Sequence, residues 1–88
     1  MLNSTTLKRH AALVDRMADT LGLDLEEAVL SGQMRFDSLS DAVLACTACS
    51  NPEGCERWLE MQTGRAPEAP GICRNTRMFE DLKAGRQV

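Results

Sequence analysis

The sequence predicts an all-α protein, an irregular bundle of about five short helices. Leu, Ala, Val and Met supply most of the apolar side chains, and aromatic residues make up only 3% of the chain, a mix that favours helix over strand. Apolar residues recur at steps of three and four, the spacing of one helix face. With 88 residues, a single helical domain covering 1–88 is expected.

The first two helices are predicted from their apolar spacing and their end signals. The first runs from Ser4 to Leu21 and ends at Gly22, a residue suited to the left-handed position after a helix. Its apolar stripe consists of Leu7, Ala11, Val14, Ala18 and Leu21, with Met17 at its flank. The second begins with Asp24 as its cap, since Glu27 completes a pattern like the capping box, and it stops at Gly32. Its inner face consists of Leu25, Ala28 and Val29.

The third and fourth helices lead toward the cysteines. The third is predicted to begin near Asp37 or Ser38. The residues on its inner face are Leu39, Ala42, Val43 and Cys46. In the fourth, Asn51 suits the N-cap and Pro52 the first helical position, and Gly64 ends the helix. The residues on one side of this helix are Cys55, Trp58, Leu59 and Gln62.

A loop rich in proline and glycine separates the fourth helix from the last one. It spans residues 64–72, and Cys73 closes it. Asn75 is expected to cap the last helix with its side chain, and Gly85 ends that helix. The residues of its inner face are Met78, Phe79 and Leu82. The tail after Gly85 is expected to fray.

Charge and hydropathy argue against binding to nucleic acid and to membranes. The net charge is −3 and no basic tract occurs, which gives no support for general attraction to nucleic acid or to an anionic membrane. The N-terminus lacks an apolar segment after a basic start, and no apolar run approaches transmembrane length. We therefore expect a cytoplasmic protein with no membrane contact, whose partner is an unidentified protein rather than nucleic acid.

The cysteines are the main candidates for a functional site. Cys46, Cys49, Cys55 and Cys73 follow the spacing C-x2-C-x5-C-x17-C. The first pair, three residues apart, can project from one side of a helix end. Cys55 lies one turn inside the fourth helix, and Cys73 stands at the entry to the last. Because clustered thiols in a reducing compartment are typical of metal ligands, we predict that all four converge on one site within residues 46–73.

The residue types leave three interpretations of this site open. Four thiolates suit either an iron–sulfur cluster or a tetrahedral zinc ion. Zinc sites usually take two short pairs of ligands, and here only Cys46 and Cys49 form such a pair. A cluster is larger than one ion and accepts ligands from scattered positions, so an iron–sulfur cluster is predicted first and zinc second. The third interpretation is a disulfide-bonded helical domain or unligated thiols, with Cys46 as a core residue.

Two resemblances bear on the cysteines. The C-x2-C-x5-C core of Cys46, Cys49 and Cys55 resembles that of the WhiB-like iron–sulfur regulators, small helical proteins, and this implies a [4Fe–4S] cluster. In that family the fourth cysteine precedes the triplet, whereas here Cys73 follows it. Over nearly the whole chain, the sequence looks more like an uncharacterised family of short proteobacterial proteins. The matching segments are 15–22, 41–49 and 73–75. This second resemblance implies a stand-alone domain and no particular activity.

No acid–base or nucleophile set for an enzyme is visible in the sequence. His10 is the only histidine and, beside Lys8 and Arg9, is interpreted as a solvated surface residue rather than a ligand. Trp58, three residues after Cys55, is expected to anchor the core and to shield the site from water. The predicted function is therefore redox sensing or electron transfer, with a zinc-stabilised protein-interaction module as the alternative.

Overall fold

The computed structural model describes residues 4–49 and 51–88. Its helices are α1 (Ser4–Thr20), α2 (Leu25–Leu30), α3 (Phe36–Thr47), α4 (Pro52–Met61) and α5 (Thr76–Lys83). No strand occurs in these two ranges. The predicted all-α class is confirmed, as an irregular bundle in which α1 packs against α3 and α4. None of the described helices is long and apolar enough to cross a membrane.

Two of the predicted caps form as expected. The side chain of Asp24 accepts a hydrogen bond from the backbone N–H of Glu27 at 3.1 Å, at the start of α2. The side chain of Asn51 accepts one from Gly54 N–H at 2.9 Å, directly before Pro52 begins α4. Each cap satisfies a backbone donor that has no partner within its own helix. Local sequence signals therefore fix where these two helices begin.

Three helix ends differ from their predicted positions. α3 begins at Phe36, ahead of the predicted start, and its N-cap residue Arg35 makes no side-chain capping bond. α4 ends at Met61, before Gly64, because Gln62 already has an extended ψ of 128°. α1 ends one residue early, and Gly22 follows it with a φ of +81°, which a residue without Cβ adopts freely.

Asn75 occupies the predicted N-cap position of α5, but its side chain does not cap the helix. The Nδ2 group instead donates a hydrogen bond to the backbone oxygen of Ala42 in α3, at 2.8 Å. The residue is buried, so this bond is shielded from water. The start of α5 is therefore tied to the middle of α3.

The prediction that the tail frays after Gly85 is wrong. The N–H of Val88 donates to the oxygen of Gln33 at 2.8 Å, and the N–H of Arg35 donates to the oxygen of Val88 at 2.9 Å. The side chain of Gln33 also donates to the oxygen of Leu82 at 3.1 Å. These bonds hold the tail against the connection between α2 and α3, a long-range pairing that local sequence does not reveal.

The core lies along α1. Its buried apolar residues are Leu13, Val14, Met17, Ala18, Leu21, Leu25, Ala28, Met34, Ala42, Cys55, Leu59, Ala66, Phe79 and Leu82. The predicted stripe of α1 is buried only from Val14 onward, since Ala11 is exposed and Leu7 is half-buried. In the N-terminal half of α1, His10 and Leu13 take the inner positions. Because His10 faces inward, it lies near Cys46, and because Ala11 and Leu7 face outward, they contribute to an apolar surface.

Candidate metal centre

His10 lies inside the protein, so its interpretation as a solvated surface residue is wrong. It is 6% exposed, and its Nδ1 atom lies 3.4 Å from the Sγ atom of Cys46, within hydrogen-bonding distance. The sequence did contain a signal for this position. His10 precedes Leu13 and Val14 by three and four residues, so all three share one helix face. The exposed neighbours Lys8 and Arg9 obscured that spacing.

Arg9 connects the same part of α1 to α4. Its Nε and Nη2 atoms each lie 3.0 Å from Oε1 of Glu56, and Nη2 lies 3.6 Å from Glu53. The hydrogen bond to Glu56 is the largest cause that raises the pKa of Arg9. A surface ion pair of this kind adds little stability. The ion pair does connect the N-terminal half of α1 to α4, the helix that carries Cys55.

Three separate parts of the chain carry the four thiols. Cys46 lies in the last turn of α3, and Cys49 follows two residues after that helix ends. Cys55 lies in the first turns of α4 and is buried, and Cys73 stands three residues before α5. The Sγ atom of Cys49 donates to the backbone oxygen of Ile72 at 3.7 Å, beside Cys73. All four cysteines are free thiols.

The thiols influence one another's pKa. Burial raises the pKa of Cys46 to about 11, and the charges of the other three thiols contribute to the rise. Burial is also the largest cause that raises the pKa of Cys55, and the charges of Cys73 and Cys49 raise it further. The charge of Cys49 raises the pKa of Cys73 as well. The raised pKa values of Cys46, Cys55 and Cys73 therefore each include the charge of at least one other thiol.

Other groups oppose this rise and favour the thiolate form. Burial is the largest influence on Cys73 and raises its pKa, but hydrogen bonds from the Asn75 backbone and the Thr76 side chain lower it. The positive charge of Arg16 on α1 lowers the pKa of Cys55. Donors at a helix start and nearby cations are the usual means of stabilising a thiolate. His10 is a site residue that the sequence interpretation missed.

The described side chains do not form a finished cage around one ion. In residues 4–49 and 51–88, no group of three or more His, Cys, Asp or Glu side chains is arranged to hold a metal ion. Trp58 is partly buried against the core, as expected of an anchor. Its backbone oxygen accepts a hydrogen bond from the side chain of Gln62 at 2.9 Å.

Comparison with known proteins gives a family and no activity. No curated protein and no solved structure matches the chain. The sequence profile of a family of unknown function, DUF6455, matches residues 1–85. The resemblance to an uncharacterised family is thereby confirmed, whereas the likeness to the WhiB-like spacing stays a resemblance among three cysteines. The chain belongs to the family of unknown function DUF6455.

Proposed function

We propose that the protein holds an iron–sulfur cluster of the [4Fe–4S] type on Cys46, Cys49, Cys55 and Cys73, and that it senses redox state or carries electrons. One observation carries the proposal. The thiol of Cys49, which follows the end of α3, contacts the backbone oxygen of Ile72, directly beside Cys73 at the entry to α5. Four thiolates are the usual ligand set of such a cluster.

The raised pKa values mean that a metal would have to displace protons from these thiols. Burial and mutual repulsion favour the protonated forms of Cys46, Cys55 and Cys73, so four thiolates in this place would repel one another. Iron compensates that charge, and binding releases the thiol protons. The free energy of binding then stabilises the contacts between three helix ends in a small domain whose core is modest.

The surroundings of the thiols suit electron exchange. Cys55 is buried, whereas Cys46, Cys49 and Cys73 are each partly exposed. A bound cluster supplies one-electron transfer, and a partly exposed one is open to a redox partner or an oxidant. The proposal places the protein in a reducing compartment such as the cytoplasm, where free thiols persist.

Zinc is the second candidate because of one observation. His10 lies 3.4 Å from Cys46, and imidazole nitrogen is a common zinc ligand. A site of three cysteines and His10 would match a frequent structural zinc set. In that case the metal would hold the helices together without redox chemistry, and the protein would act as an interaction module.

Single substitutions of the cysteines by serine test the proposal on protein purified without oxygen. Each of Cys46→Ser, Cys49→Ser, Cys55→Ser and Cys73→Ser is expected to lose most of the bound iron, the acid-labile sulfide and the visible absorption. Ala48→Ser is the matched control, since it adds a hydroxyl between two ligands and removes no thiol. Circular dichroism of each variant separates loss of the cluster from loss of the fold.

The outcome also distinguishes the two candidates. His10→Ala should retain iron and sulfide if the four cysteines are the ligands. A colourless protein with one zinc per chain, whose zinc affinity falls in His10→Ala, would replace the first proposal by the second. Iron and sulfide contents that are unchanged in Cys73→Ser would contradict the ligand set.

A further inference from the structure

An apolar groove runs between α1, α2 and α3, on a side of α1 that the core leaves uncovered. Its first part is a cleft of about 360 Å³, whose lining includes Val14 and Leu39. Its second part is a cleft of about 420 Å³. Ala11 and Val43 line both clefts, so the two adjoin on one face, which we call the groove. Its first part is also lined by Asp15 of α1 and Phe36 of α3. Its second part is also lined by Leu7 and Leu44.

Large apolar side chains stand at the edges of this groove. Leu30 and Phe36 beside the first cleft are 74% and 70% exposed, and Leu44 beside the second is 51% exposed. A contiguous apolar patch of this kind usually marks an interaction site. Because protrusions and a hollow lie on the same face, a second copy turned by a two-fold axis can insert its protrusions into the hollow of the first. Self-complementarity is the requirement of a two-fold interface.

Charges give the groove an acidic end and a basic end. Asp15 and Glu26 line the first cleft, and Lys8 lines the second. None of the three belongs to an ion pair in the part of the chain that the structure describes. Along the α1 axis, Lys8 and Asp15 are separated by about 10 Å. When two grooves face each other in opposite directions, the basic end of each lies against the acidic end of the other.

We propose that this groove is the interface of a homodimer, in which two copies pack groove to groove and Lys8 of each copy faces Asp15 and Glu26 of the other. Burial of the exposed apolar side chains supplies the affinity. The complementary ends fix the relative direction of the copies, since the opposite arrangement would bring like charges together. The interface lies on the α1–α2–α3 side and does not depend on what the cysteines bind.

Sedimentation equilibrium of the whole chain, with reductant present to prevent disulfides between copies, tests the proposal. We expect a reversible monomer–dimer equilibrium with a dissociation constant in the micromolar range. Leu44→Asp should raise that constant at least about tenfold, because it places an unpaired charge in the apolar interface. Met61→Asp is the matched control, since Met61 is 77% exposed on α4 and lies outside the groove. It should leave the constant unchanged.

A charge exchange tests the direction of packing. Lys8→Glu should raise the dissociation constant about threefold at low salt, and adding both Asp15→Lys and Glu26→Lys, which completes the exchange of charges, should return it to within about twofold of the unmodified chain. These effects should fade in high salt. A chain that is monomeric at every concentration, equal effects of Leu44→Asp and Met61→Asp, or failure of the triple variant to recover would overturn the proposal.

Discussion

At the scale of single residues, the sequence identified the thiols but not the groups that act on them. The cysteines were visible because their type and spacing are rare in a chain of 88 residues. His10 was misread, because its neighbours Lys8 and Arg9 outweighed the spacing that places it on the same helix face as Leu13 and Val14. The charge of Arg16 on α1 lowers the pKa of Cys55 on α4, an influence between helices for which a single sequence contains no signal.

His10→Ala tests the burial of this side chain at the residue scale. The substitution removes a buried ring and its contact with Cys46, so the free energy of unfolding of the metal-free protein should fall by about 1–3 kcal/mol. Asp19→Ala, an exposed change on the same helix, should alter it by less than about 0.5 kcal/mol. Urea denaturation of both variants gives the comparison. Equal effects would mean that His10 is not buried.

The raised pKa of Cys46 makes the stability of the metal-free protein depend on alkaline pH. Folding raises this pKa from 9.0 to about 11, so the folded state binds the thiol proton more tightly than the unfolded state. The stabilising contribution is complete below pH 9.0 and is lost as the pH rises toward 11. Cys55 and Cys73 shift in the same direction.

Urea denaturation of reduced, metal-free protein between pH 8 and 10.5 measures this dependence. The free energy of unfolding should decline across the upper part of that range. Cys46→Ala should weaken the decline, because it removes the thiol with the pKa of about 11. A decline of the same slope in the wild type and in Cys46→Ala would show that the pKa of Cys46 is not raised by folding.

At the scale of helices, local signals predicted a helix start well where a capping residue directly precedes it. Asp24 and Asn51 cap α2 and α4 as their sequence context indicates. The sequence placed Asn75 at the start of α5 but assigned its side chain to the wrong partner. Its partner, the Ala42 oxygen, is 33 residues away in the chain, and only the packed structure brings the two together.

Replacing Asn75 by aspartate distinguishes a capping role from the observed bond. Aspartate caps a helix as well as asparagine does, but its carboxylate cannot donate to the Ala42 oxygen. Asn75→Asp should therefore lower the free energy of unfolding by about 2 kcal/mol or more, because a buried carbonyl loses its partner and faces a negative charge. Asn51→Asp, at a true side-chain cap, should change it by less than about 0.5 kcal/mol. Similar stabilities of the two variants in urea would contradict the bond to Ala42.

At the scale of the whole molecule, the all-α class follows from the periodicity of the sequence, whereas the arrangement of the helices does not. The pairing of Val88 with Gln33 and Arg35 ties the tail to the connection before α3, opposite to the expected fraying. Cys46, Cys55 and Cys73 likewise lie at the ends of three different helices, and the proposed metal centre would hold α3, α4 and α5 together.

Native mass spectrometry of the whole chain, purified and measured without oxygen, shows whether the four thiols hold a cluster. We expect a mass increase equal to four irons and four sulfides, which disappears in Cys73→Ser. An increase of one zinc, a mass lowered by four hydrogens through two disulfides, or the unmodified mass of the reduced chain would contradict it.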